Sequence, residues 1–328
     1  MNYRKLGKNG FDVSEIGLGC WQLGGDWGEA PGESRAFSIL KTAVASGITL
    51  FDTADVYGSG RSEDLIGKFL SDTESEVRVI TKYGQGAGVY PDNYTEHSLR
   101  QSVEGSLERL GVESLDLLQL HCIPESVLER GEVFNWLRKV KDEGLIKNFG
   151  ASVETEKQGI LCMKQEGLLS LQVIFNLFRQ HYSKAFFAKA SDLGVGIIVR
   201  LPLASGLLSG KFSSQTQFRP SDHRNYNRNG EAFNVGETFS GLPFEKGLEL
   251  VERLKSDYLP EKLSMAEFSL RWILDHEAVS SVIPGASSAD QVRANVRISE
   301  LSPLPEELHE HLLNFYDNEI LSHIRGPY

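Results

Sequence analysis

The sequence predicts an α/β fold, a (β/α)8 TIM barrel with a short N-terminal β-hairpin capping the barrel bottom and an extra C-terminal helix. Three observations predict it. Short β-rich runs alternate with stretches of helical period, the pattern of βα units wound around a parallel sheet. The runs number eight, at residues 15–19, 48–51, 77–81, 115–121, 147–151, 171–175, 195–201 and 279–283. A chain of 328 residues with 40% hydrophobic content is also of the size that one barrel occupies.

Between the runs, apolar periodicity predicts helices near 34–46, 62–70, 94–110, 133–143, 156–165, 183–193, 244–255 with 264–275, and 289–296. Helix grammar supports several of them. Gly111 follows Leu110 as a stop, and Ala45-Ser46-Gly47 ends the first helix in the same way. Ser264 with Glu267 three residues later forms a capping box. Residues 203–241 break the rhythm with Gly206, Gly210, Pro220, Gly230, Gly236 and Gly241, a stretch too long for a simple connector. A functional loop over the barrel mouth is the reading. After the barrel, Pro305 opens a last amphipathic helix to about Leu321. No repeat beyond the βα alternation and no linker divides the chain, so residues 1–328 read as a single barrel domain.

Composition excludes several classes of function. The 45 acidic against 34 basic residues leave a formal net charge of −11, which opposes binding to nucleic acid or an anionic membrane. Cys20, Cys122 and Cys162 are too few and too widely spaced for a disulfide framework or a zinc knuckle. A reducing cytoplasm is the expected compartment. The start Met1-Asn2-Tyr3-Arg4-Lys5 has no apolar segment after it, so neither a signal peptide nor a membrane span is read.

Four polar residues stand at or just past the ends of three of these runs: Asp52 and Tyr57, Lys82, and His121. On neighbouring parallel strands they converge at one rim, where a βα-barrel keeps its chemistry. Taken singly, each residue type is more often a cap, packing, a surface charge or a structural histidine. Their joint occurrence on consecutive strand ends points instead to carbonyl reduction, which needs a hydride at carbon and a proton at oxygen. An ammonium favours phenolate, so Lys82 is expected to lower the pKa of Tyr57 and make it a competent proton donor. Asp52 would hold Lys82, and His121 would hydrogen-bond the carbonyl oxygen as charge develops.

The stretch Leu50-Phe51-Asp52-Thr53-Ala54-Asp55-Val56-Tyr57-Gly58, then Thr81-Lys82, then Asp116-Leu117-Leu118-Gln119-Leu120-His121, resembles the aldo-keto reductase superfamily. The likeness runs from Arg4-Lys5-Leu6-Gly7 to Ile283-Pro284-Gly285-Ala286. It implies the same four roles: proton-donating tyrosine, lysine and aspartate partners, and oxyanion-site histidine. Gly17-Leu18-Gly19-Cys20-Trp21 is too short for a Rossmann fingerprint. Barrels grip phosphates with the loops after strands 7 and 8 and a helix N-terminus. The segment from Pro202 and Leu203 through Ser205, Gly206 and Leu208 to Lys211, and the segment Ile283 to Gln291, fit that task. Both look like the family's nicotinamide dinucleotide segments, with Gly285, Ser287, Gln291 and Asn295 on the adenosine side.

The resemblance also implies cofactor contacts at Gly19, Cys20, Trp21 and Asp52. Ser152, Gln172 and Asn176 fall where the family binds or supports the carboxamide, while Val153 replaces a common asparagine. Arg200 stands where many members stack a tyrosine on the nicotinamide, and a planar guanidinium can cover the ring as well. NADP(H) is favoured on family habit and NAD(H) stays open, because Ser287 and Gln291 replace arginines that pair with a 2′-phosphate. Arg293, one helical step on, is the candidate substitute.

Trp21, Trp27 and Tyr90 are the expected substrate wall, with Phe218 to Phe239 around the mouth. Asp26, Arg61, His223 and Arg224 are candidate polar contacts that nothing in the sequence places. The function read is therefore an NAD(P)H-dependent carbonyl reductase or alcohol dehydrogenase acting on small carbonyls or sugars. Two alternatives remain open. One is a cofactor-bound regulatory subunit resembling potassium-channel β subunits, and the other a redox-neutral epimerase or lyase using bound NADP. The partner is a small-molecule carbonyl or alcohol, with oligomeric state undecided between monomer and homo-oligomer.

Overall fold

The computed structural model describes residues 1–25 and 30–327. A hairpin of β1 (Tyr3–Lys5) and β2 (Asp12–Ser14) precedes the barrel strands β3 (Leu18–Gly19), β4 (Leu50–Asp52), β5 (Arg78–Tyr83), β6 (Leu117–His121), β7 (Phe149–Ser152), β8 (Leu168–Ile174), β9 (Gly196–Arg200) and β10 (Val279–Val282). Strands β3 to β10 lie in sequence order, and each successive pair is parallel. The sheet closes on itself where Gly17 and Gly19 donate to the carbonyls of Val282 and Pro284 and Val282 donates to that of Glu15. This is the (β/α)8 fold that the sequence predicts, and all eight strands fall on the expected runs.

The helices are α1 (Trp21–Gly24), α2 (Glu33–Ala45), α3 (Arg61–Ser71), α4 (Glu96–Leu110), α5 (Glu125–Arg130), α6 (Glu132–Asp142), α7 (Glu156–Met163), α8 (Phe186–Asp192), α9 (His223–Tyr226), α10 (Phe244–Asp257), α11 (Met265–Leu274), α12 (Ala289–Arg297) and α13 (Glu306–Phe315). Ser264 caps α11 in the expected box with Glu267, and Gly111 ends α4 at φ 66°. Beyond α13 the helix widens into a π turn over Tyr316–Ile320 and then a 3-10 turn, so the last expected helix is present but not regular. Three short helices, α1, α5 and α9, were not anticipated; each is too short to carry a helical period. Among the described residues no helix is long and apolar enough to cross a membrane.

Two apolar bodies form. The larger lies between sheet and helices. The smaller fills the barrel's lower interior with Leu50, Ile80, Leu117, Leu169, Ile198 and Ile283, and the hairpin's Leu6 and Val13 plug it from below. The hairpin turn comes so close that a Cβ on Gly7 would lie 2.7 Å from the Leu169 carbonyl oxygen, and its φ of +70° also favours glycine. Since inward positions repeat every two residues along a strand, the residues following these apolar ones on the same face are polar and belong to the mouth. Leu50 leads to Asp52, Ile80 to Lys82, Leu117 to Gln119 and His121, and Ile198 to Arg200.

Candidate active site

The floor of the mouth is a buried polar network. Lys82 Nζ donates to Asp52 Oδ1 at 2.7 Å and to the Thr53 carbonyl at 2.6 Å, with 1% and 5% side-chain exposure for lysine and aspartate. The other Asp52 oxygen accepts from Gln172 Nε2 at 2.8 Å, and that amide also donates to Gln119 Oε1 at 3.0 Å. Tyr57, in the turn after β4, brings its hydroxyl to 3.4 Å from Lys82 Nζ, and the ammonium lies 5.0 Å from the ring centre. His121 meets Tyr57 edge to face at 5.9 Å. The four residues expected at one rim are therefore together.

Their electrostatics correct one expectation. Tyr57 is not lowered: burial, and then the Asp52 carboxylate, hold the phenol well above its ordinary value. The physical reason is that the phenol is buried away from water, which opposes phenolate, and the Asp52 carboxylate opposes it further. Burial, followed by the charges of Lys82 and Arg200, holds the His121 imidazole well below its ordinary value. Its Nδ1 is buried with no partner. At neutral pH the floor thus offers a protonated phenol and a neutral imidazole. Gln85 Nε2 fixes the end of β6 by donating to the carbonyls of His121 and Cys122 at 3.0 and 3.2 Å.

Above this floor opens a cavity of about 770 Å³ lined by Gly19, Trp21, Asp52, Tyr57, His121, Ser152, Gln172 and Arg200 at its inner end. Pro202, Leu203, Ser205, Gly206 and Lys211 line it from the segment after β9, and Gly285, Ser287, Gln291 and Asn295 from the segment after β10. Tyr90 lines the mouth and is 49% exposed. Trp27 and Asp26 lie outside the described residues.

Several of the expected residues lie away from the cavity lining. Cys20 and Leu208 do not line the cavity: both side chains are buried in the apolar layer between sheet and helices, at 1% and 0% exposure. The backbone of Cys20 is engaged by Asp52 and Ser62. Asn176 also lies behind the cavity, where it donates to the Leu201 carbonyl and Ser240 Oγ and so supports the wall. Arg293 is exposed and paired with Asp290 at 2.5 Å, away from the cavity. Arg61 holds the loop carbonyls of Leu23 and Pro31. His223 is buried against Trp21, their rings 4.9 Å apart, and Trp21 in turn stacks on Tyr57 at 5.8 Å.

Residues 203–241 cover the mouth as expected. Ala204, Ser205 and Gly206 take positive φ in succession, at 47°, 56° and 93°. Consecutive left-handed residues are costly unless their surroundings hold them, and they cluster at ligand sites. Ser205 Oγ donates to the Glu237 carbonyl at 2.9 Å, and Phe212, Phe218, Phe239 and Phe244 pack as a small core beneath the loop. Glu237 reaches back to form an ion pair with Arg200. Arg200 Nη2 also lies 3.5 Å from Cys122 Sγ and 3.4 Å from the Val153 carbonyl. Glu237, Glu154, Cys122, Gln85 and Gln22 all line the cavity and were missed, because no spacing pattern marks residues delivered by loops or by the short α1.

In the segment after β10, Ser288 caps α12, and Gln291 Oε1 accepts from the Ser287 backbone nitrogen at 2.6 Å and its hydroxyl at 3.0 Å. The cation found there comes from α2: Arg35 Nε donates to the Ser287 carbonyl at 2.7 Å. Arg35 borders a smaller cavity of about 310 Å³ that shares Gln22, Arg224 and Ser287 with the larger one.

The strand ends of this barrel bring a phenol, an ion pair and a neutral imidazole to one cleft. A sequence model of the Aldo/keto reductase family matches residues 15–316. The uncharacterized oxidoreductase YqkF of Bacillus subtilis is 31% identical, covering 94% of each chain. The solved glycerol dehydrogenase AKR11B4 from Gluconobacter oxydans superposes with a TM-score of 0.78 at 27% identity, over 99% of this chain and 97% of that one. The holo form of aldo-keto reductase AKR11C1 from Bacillus halodurans gives 0.76 at 26% identity, over 96% of both. The chain belongs to the aldo/keto reductase family and is an oxidoreductase of that family.

Proposed function

We propose that the protein reduces small aldehydes or ketones to alcohols with NADP(H), Tyr57 delivering the proton to oxygen. The observation that carries this reading is the phenol 3.4 Å from an ammonium that is itself locked on Asp52, at the floor of a cavity of about 770 Å³. The residues fit such a cofactor: the glycines Gly19, Gly206 and Gly285 line the cavity, and Arg200 Nε and His121 Nδ1 are buried without partners. An unpaired buried polar atom costs about 1–3 kcal/mol, which a bound ligand relieves. When bound, the dinucleotide supplies the hydride.

The chain's own residues do the rest. Tyr57 is protonated through neutral pH and gives its proton to the carbonyl oxygen; the phenolate left behind faces Lys82 Nζ. Neutral His121 donates to the same oxygen as negative charge develops. Ser152 and the free acceptor face of the Gln172 amide hold the carboxamide, and Arg200 lies along the ring. Ser205, Gly206, Lys211 and the Ser287–Asn295 side hold phosphates and adenosine. Arg35 beside Ser287 supports the phosphorylated dinucleotide.

The test is a titration with NADPH and with NADH, followed by a panel of aldehydes while the absorbance of reduced cofactor is monitored. The solved neighbour named as a glycerol dehydrogenase places glyceraldehyde in that panel, with glycerol tested separately against the oxidised dinucleotide. Aldehyde-dependent oxidation is the expected result. Binding without oxidation would shift the reading to a regulatory subunit or a redox-neutral reaction, and product without net oxidation would select the latter.

A further inference from the structure

The strongest unabsorbed feature of the cavity is its carboxylates. Glu237, on the loop, pairs with Arg200 on β9, and the two side chains are only 14% and 11% exposed. Glu154 reaches the same wall from beyond β7, and its carboxylate, that of Glu237 and the Cys122 thiol have ligand atoms within 4.8 Å of one another. The other inner pair, Asp52 with Lys82, is charge-balanced. The wall therefore brings two carboxylates beside Arg200, with Arg179 acting on Glu154 as a second cation. Mutual repulsion is visible in Glu154, held above the usual carboxylate range first by burial and then by Glu237.

The oxidised nicotinamide ring is a cation and the reduced ring is neutral. A guanidinium lying on the ring without a counter-charge would repel the oxidised form. Inside a site shielded from water, one unit charge several ångström away changes affinity on the order of tenfold to a hundredfold. We infer that Glu237, by pairing with Arg200, sets the relative affinity for oxidised and reduced cofactor, with Glu154 adding to it, so that the site tolerates the nicotinamide cation. Glu237 is a positioning and charge-balancing residue supplied by the covering loop. This rests on the reading above, in which Arg200 lies along the ring.

The experiment measures dissociation constants for NADP⁺ and NADPH by calorimetry on the full chain, or for NAD⁺ and NADH if wild type binds those more tightly. Glu237→Gln keeps shape and removes the charge. The expected result is a weakening of the oxidised form that exceeds that of the reduced form by about tenfold or more. Glu154→Gln should shift the ratio the same way by less. In Arg200→Met the ratio should move the other way, toward the oxidised form, because Glu237 is left uncompensated beside the ring. If Glu237→Gln weakens both forms equally, the loop is merely loosened and the inference is overturned. If Arg200→Met leaves the ratio unchanged, the charge balance between Arg200 and Glu237 is overturned. Binding of neither dinucleotide by wild type would remove the cofactor reading itself, and this inference with it.

Discussion

Tyr57, His121, Lys82 and Asp55 each carry a separate consequence. Because the phenol is held up and the imidazole held down, neither changes charge near neutral pH, so kcat/KM for reduction should be flat through neutrality. A limb near the ordinary histidine value would contradict the neutral imidazole. Tyr57→Phe should lower reduction about a hundredfold or more while leaving cofactor affinity near wild type; stopped-flow and binding measurements separate the two. Lys82→Met strands a buried carboxylate, so it should cost roughly 3–5 kcal/mol of stability in denaturant titration as well as activity. Asp55, bonded to Ser102 at 2.8 Å, is raised to about 6, first by burial. The folded state therefore keeps its proton longer than the unfolded chain. Stability falls as pH rises from about 4 through 6, by about 3 kcal/mol for a shift of this size. Asp55→Asn should thus raise the melting temperature at pH 8 and change it little near pH 4. The four polar residues of the floor were legible because strand ends declare them; the elevated Tyr57 was not, since it depends first on how deeply the folded chain buries the phenol.

Strands and helices show the same division. Period, caps and glycine stops announced β3 to β10 and the long helices, including the Ser264 capping box, because those signals are local. Element contributions across the sheet were invisible. Arg35 sits on the exposed face of α2, where a surface charge is the ordinary reading, yet it is anchored on Ser287 after β10. Arg35→Ala should weaken NADPH about tenfold and leave NADH nearly unchanged, as loss of a charge-assisted contact implies. Equal effects on both would remove the phosphate role. The loop over residues 203–241 was recognised by its glycines, but its hold on the barrel was not. Arg325 clamps it from the C-terminal tail through the carbonyls of Gly241, Arg228 and Leu242.

The whole barrel depends on a plug drawn from the chain's first residues. Leu6 is fully buried with Leu50, Ile80, Leu117 and Ile198 in the lower interior, beneath the polar network of the mouth. Leu6→Ala should cost about 2–5 kcal/mol, and part of that loss should appear as a softer floor with lowered kcat. Thermal unfolding beside steady-state kinetics checks both. By itself the sequence determined the barrel, the order of its strands and the rim on which Asp52, Tyr57, Lys82 and His121 stand. It could do so because strand alternation, helical period and caps act over a few neighbouring residues. Only the tertiary structure decided that Cys20 and Leu208 turn into the core, that Glu237 holds Arg200, that Arg293 is bound to Asp290, and that Arg35 reaches Ser287. Those outcomes are set by closure of the sheet and by charges meeting across distant segments, and no local pattern in a chain records which charge will find which partner.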